Sequence, residues 1–160
     1  MFKSKIWILA ALIVAGLVLS ACKNESVLSE QYGMEISDMR IKPPLKGRNV
    51  TAAYFDVSNV TDTDDALIGA TSPIAERIEM HLSAEVDGVM TMRRQVSIAL
   101  PAGLKQEFKP GGYHLMLFGT QLEEGQTEAP ITLKFKHASD LTIIAEISEM
   151  AQQNGHGSHH

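Results

Sequence analysis

Ile78-Glu79-Met80-His81-Leu82-Ser83-Ala84-Glu85-Val86-Asp87-Gly88-Val89-Met90-Thr91-Met92-Arg93-Arg94-Gln95 reads as two strands joined by a turn. Ile78, Met80 and Leu82 alternate with Glu79, His81 and Ser83, the two-residue period of a strand with one buried face. Asp87-Gly88 is a two-residue hairpin signal. With those two residues as the turn, Val86 faces Val89 and facing positions sum to 175, so Ser83 faces Met92. His81 then lies on the same side of the hairpin as Met92, diagonal to it. Diagonal neighbours are roughly 7–8 Å apart at the backbone, within reach of long side chains. A slip of one residue would send the two to opposite faces. By the same count Met90 shares the face of Met92 and is an auxiliary candidate, while Met80 points to the core.

Outward from this hairpin the chain continues as short strands with turn punctuation. Upstream, strands are expected over 34–41, 51–58 and 67–70, broken by Pro43-Pro44, by the polar 59–65 turn and by Ser72-Pro73. Downstream they are expected over 97–100, 106–108, 113–118, 131–135 and 141–147, with Pro110-Gly111-Gly112 as a turn and a loop over 121–130. Many short strands and no convincing amphipathic helix predict an all-β Greek-key sandwich or small barrel.

His114 and Met116 are two apart and share a face of their strand. With His81 and Met92 they make two imidazoles and two thioethers, a soft donor set of the kind that selects Cu(I) over hard divalent ions. Nothing local brings residues 113–118 to the hairpin; only the tertiary fold can do so. A blue-copper electron-transfer centre needs a Cys thiolate. The one Cys in the chain is Cys22, which lies ahead of the domain.

The leader defines the compartment. Lys3 and Lys5 precede an apolar run of 14 residues, Ile6 to Leu19. As a helix it would rise about 21 Å, short of the roughly 30 Å hydrocarbon core, so a secretory signal over 1–21 is expected. Leu19-Ser20-Ala21-Cys22 resembles a bacterial lipobox, which implies cleavage before Cys22 and lipidation of its sulfur. Several acyl chains together anchor a protein firmly. Residues 22–31 read as lipidated Cys and tether, 32–149 as the β domain, and 150–160 as a disordered tail. Without Lys3 and Lys5, 12 basic residues face 19 acidic ones, a formal charge of −7. Nucleic acid is therefore not an expected partner.

The spacing His81-x10-Met92-x21-His114-x-Met116 resembles the signature of the PCu(A)C family of bacterial copper chaperones. The flanking Asp87-Gly88-Val89-Met90 and Lys109-Pro110-Gly111-Gly112-Tyr113-His114 match as well, and the similarity covers residues 34–147. The resemblance implies a cupredoxin-like fold and one Cu(I) per domain held by His81, Met92, His114 and Met116. It also implies delivery outside the cytoplasm, to a copper-accepting oxidase subunit or assembly factor at the binuclear copper centre of cytochrome c oxidase. Many members are free periplasmic proteins, whereas this chain is expected to be a membrane-anchored lipoprotein and a monomer. The alternative is a copper-sequestering lipoprotein with no delivery partner. Thioethers suit an oxidising compartment, because they carry no proton to lose and form no disulfides.

The tail carries His156, His159 and His160, which could take a second, looser Cu(II). Asn49-Val50-Thr51 and Asn59-Val60-Thr61 match a glycosylation pattern that means little in a bacterial lipoprotein. No nucleophile–base constellation, phosphate loop or zinc-type Cys cluster is visible, so a carrier rather than an enzyme is expected.

Overall fold

The computed structural model describes residues 33–149. Within them lie β1 (Met34–Ile41), β2 (Val50–Asn59), β3 (Asp65–Thr71), β4 (Arg77–Val86), β5 (Val89–Gln95), β6 (Ile98–Leu100), β7 (Lys105–Phe108), β8 (Tyr113–Phe118), β9 (Glu128–Phe135) and β10 (Leu141–Ile147). The described residues are all-β, and none of their elements is a helix long and apolar enough to cross a membrane. The leader, Cys22, the tether and His156, His159 and His160 of the tail lie outside the described residues.

The strands form one folded sheet in the order β5-β4-β8-β7-β2-β1-β10-β9-β3-β6, with β8 also paired to β2. Two contacts are parallel, β1 with β10 and β7 with β8; the others are antiparallel. The β4–β5 hairpin has the counted register, Val86 opposite Val89 and Ser83 opposite Met92. Asp87 at φ 51° and Gly88 at φ 77° give the two positive values that a type I′ turn demands.

Alternation buries one face of each half of the sheet. Met80, Leu115 and Leu117 from the hairpin side meet Leu67, Ile131, Leu133, Phe135 and Ala145 from the other half in one core. Phe55 stacks on Phe108 with ring centroids 4.1 Å apart, joining β2 to β7. Each such side chain contributes about 1.5–3 kcal/mol on full burial.

Two expectations are corrected at strand ends. β3 starts at Asp65 rather than Leu67, because its carboxylate ties the strand start to the β9–β10 turn. Oδ1 accepts the Ala66 and His137 amides at 2.7 and 3.0 Å, and Oδ2 accepts that of Ala138 at 2.8 Å. β9 starts at Glu128, three residues before the expected Ile131, and contains Pro130. Pro is tolerated there because β3 has ended by that level, its last pair with β9 being Thr71 and Thr132. Asn59 is a buried strut: its amide nitrogen donates to the carbonyls of Leu100 and Thr63, both at 2.8 Å, and its oxygen accepts from the Thr61 amide and hydroxyl. Its glycosylation pattern is thus a turn lock.

Candidate metal centre

β4 lies between β5 and β8, and that placement joins the two halves of the donor set. His81 is the Cα partner of His114, and Glu79 is the partner of Met116. On the other flank Ser83 faces Met92 and His81 faces Arg94. Directly facing residues share one side of a sheet. His81, His114, Met92 and Met116 therefore occupy one face of three adjacent strands, opposite the face where Met80, Leu115 and Leu117 enter the core. Across β8, Ala52 of β2 is the partner of Met116.

The two imidazole centroids are 6.0 Å apart. Two rings sharing one ion span about 6 Å, given metal–nitrogen bonds of about 2 Å and a ring radius of about 1 Å on either side. The centroid spacing of the pair is thus of the size that a shared ion would require. Among the described residues no three His, Cys, Asp or Glu side chains gather as a metal site. An ion held here would draw on thioethers.

Each ring has one nitrogen occupied. His114 Nδ1–H donates to the Gly112 carbonyl at 3.0 Å, which leaves its Nε2 unprotonated in the neutral ring. His81 Nε2–H donates to Glu79 Oε2 at 3.0 Å. His81 Nδ1 is the one buried side-chain nitrogen or oxygen among the described residues without a partner. An orphaned buried acceptor costs about 1–3 kcal/mol unless something fills its place. Arg77 Nε donates to Glu79 Oε1 at 3.0 Å, and its guanidinium lies 4.0 Å above the Phe118 ring. The hydrogen bonds from His81 and then from Arg77 hold the Glu79 carboxyl below its ordinary value. Tyr54 packs 6.3 Å from His114, and burial pushes its phenol up, so it stays neutral.

A turn sets the lower edge of the site. The Gly112 amide donates to the Lys109 carbonyl at 3.0 Å, with Pro110 and Gly111 at the central positions. Gly111 has φ 78°, as the third residue of a type II turn requires. The Gly112 carbonyl that holds His114 also accepts the Ser83 amide at 3.0 Å, pinning β8 to β4.

Exposure grades from the core outward. His114 is 4% exposed, His81 and Met116 are half-buried, and Met92 on the edge strand is 54% exposed. Met90 is on the same face but pairs with Glu85 near the hairpin tip, two residues further from His81, and is 60% exposed. Glu79, Arg77, Tyr54 and the Gly112 carbonyl were absent from the sequence-derived site. The only available signal was a carboxylate two residues from His81 on the same strand face.

The class of protein is set by this arrangement: a cupredoxin-like β domain with a His/Met cluster at its surface. The family model "Putative lipoprotein LpqE-like" matches residues 34–147, and the chain belongs to this LpqE-like, PCu(A)C-type family. "Putative lipoprotein Lxx21020" of Leifsonia xyli is 31% identical over 125 residues, covering 76% of this chain and 74% of that one. The copper-bound PCuAC domain from PmoF2 superposes with a TM-score of 0.62 at 26% identity, covering 72% of this chain and 92% of that domain. Apo-DR1885 from Deinococcus radiodurans shares the fold, with a TM-score of 0.56 at 20% identity over 94% of this chain and 97% of that one.

Proposed function

We propose that this domain is an extracytoplasmic copper carrier that holds one Cu(I) through His81, Met92, His114 and Met116. In this reading it passes the ion to an acceptor on the path to the binuclear copper centre of cytochrome c oxidase. The observation that carries the reading is the facing His81–His114 pair, each ring with one bare nitrogen, flanked by two methionines on the same sheet face. The likeness to a PCuAC domain solved with copper supports it.

The donor set suits carriage. Two neutral imidazoles and two thioethers add no charge to a monovalent ion, and only the imidazoles compete with protons. His114 supplies a fixed, buried anchor, while Met92 lies on an edge strand open to solvent. An acceptor thiolate can displace an exposed thioether one ligand at a time, with no change of oxidation state. Lipid on Cys22 would keep the carrier at the outer side of the membrane.

The test is a competitive anaerobic Cu(I) titration of the chain from Lys23 onward, beside His81→Ala, Met92→Ala, His114→Ala and Met116→Ala. One ion per chain is expected, with each variant weakened at least tenfold, or about 1.4 kcal/mol. Unchanged affinity across the four would end the reading. For delivery, loss of the protein should lower oxidase activity at limiting copper; sensitivity confined to excess copper would instead indicate sequestration.

A further inference from the structure

The rule that a metal-bound histidine is oriented through its other nitrogen applies to two different atoms here. Glu79 is a carboxylate with both oxygens committed, Oε1 to Arg77 and Oε2 to His81. An ionised carboxylate only accepts, so the His81 proton must sit on Nε2. That leaves Nδ1, the nitrogen nearer the main chain, as the buried and unpartnered atom. His114 is arranged the other way round, because the carbonyl that fixes it sits beside Nδ1.

We propose that Glu79 is a positioning residue that locks His81 in the Nε2–H tautomer, so that His81 presents Nδ1 to copper while His114 presents Nε2. The assignment rests on the carrier reading for its copper half, but the tautomer half stands on the metal-free protein alone. Arg77 is the outer support. Its guanidinium is held over Phe118, the Cα partner of Arg77 on β8, and it fixes the oxygen of Glu79 that His81 does not use. A three-residue run of alternate positions on β4, Arg77-Glu79-His81, thus aims one ring at the face shared with Met92 and Met116. Aspartate would be too short for the same reach. Glutamine has one acceptor oxygen for two donors, and its amide could itself donate to Nε2.

The experiment is a two-bond 1H–15N correlation spectrum of the 15N-labelled chain from Lys23 onward, recorded metal-free at alkaline pH, where the imidazoles are neutral. It is then repeated with one equivalent of Cu(I). Expected in the metal-free protein are a protonated Nε2 at His81 and a protonated Nδ1 at His114. Expected with Cu(I) are shifts at His81 Nδ1 and His114 Nε2. Glu79→Gln, close in volume, should leave the fold intact, give His81 a mixture of tautomers and lower Cu(I) affinity about tenfold. Glu85→Gln, on the same face of β4 but towards the tip, should change neither tautomer nor affinity. A wild-type His81 protonated at Nδ1, a copper shift at His81 Nε2, or a Glu79→Gln protein with unaltered tautomer and affinity would each overturn the proposal. Absence of copper binding altogether would remove the carrier reading while leaving the metal-free tautomer result to be judged separately.

Discussion

His114 Nδ1 lies 3.0 Å from the carbonyl oxygen of Gly112, two residues earlier, so the ring most deeply buried in the site depends on a turn outside the strand ladder. The same oxygen receives the Ser83 amide. One carbonyl therefore holds both a candidate donor and the seam between the two strands that carry the histidines.

That dependence makes Gly111 a sensitive position. At φ 78° it occupies the left-handed region, and no atom lies within 4 Å of where a Cβ would be. The cost of Gly111→Ala is then conformational, about 1–2 kcal/mol. A lower urea midpoint at unchanged slope is expected, with Gly111→Asn less affected because Asn tolerates this region. An alanine variant as stable as the parent would show that the turn imposes no such constraint.

Met92 and Met90 separate the roles of two thioethers on one face. Met92 is one step diagonal from His81, whereas Met90 is two residues further towards the hairpin tip, about 7 Å along the strand. Met92→Leu, which keeps the volume, should weaken Cu(I) binding at least tenfold, and Met90→Leu less than threefold. The titration that defines the site measures both, and equal losses would place Met90 in the donor set.

Asp65 gives a pH signature in stability. Partial burial acts to raise its carboxyl, but the amides of Ala138, Ala66 and His137 outweigh this and hold it below the ordinary value. A group depressed in the folded state contributes fully above its unfolded pKa, near 4, and loses that contribution as pH falls through its folded value. Asp65→Asn sets an amide NH2 against the Ala138 N–H and should cost about 1–3 kcal/mol at pH 7. The gap between parent and variant should narrow below about pH 4 in denaturant titrations at several pH values. A gap that stays constant with pH would mean that the carboxylate charge contributes nothing.

Asn59 tests the buried turn lock. It is 1% exposed and donates to two carbonyls. Asn59→Asp replaces those donors with an acceptor facing acceptors, and a loss of about 2–3 kcal/mol is expected. A thermal melt near the parental Tm would contradict the assigned contacts.

The parts of the fold and site that were legible share one property: they are local. Strand period and turn chemistry act over a few residues, so the 34–41, 89–95, 113–118 and 141–147 strands appear at their observed limits. The hairpin register follows from Asp87-Gly88 alone, since only a turn that admits positive φ at both positions sets Val86 opposite Val89. The loop expected over 121–130 overran the start of β9, which contains Pro130. A missing amide matters only if a neighbouring strand needs it, and β3 stops short of that level.

The amino-acid order by itself determined which side chains are available, their two-residue alternation, and that His81 and Met92 share a side, because these depend on backbone geometry within one hairpin. Only the tertiary structure decided that β8 lies against β4 with His114 opposite His81, since strands far apart in the chain find each other through burial of their apolar faces in a common core. Likewise only side-chain packing assigned a partner to one nitrogen of each ring and left the other bare, because a hydrogen bond of 3.0 Å depends on rotamers that no spacing of letters encodes.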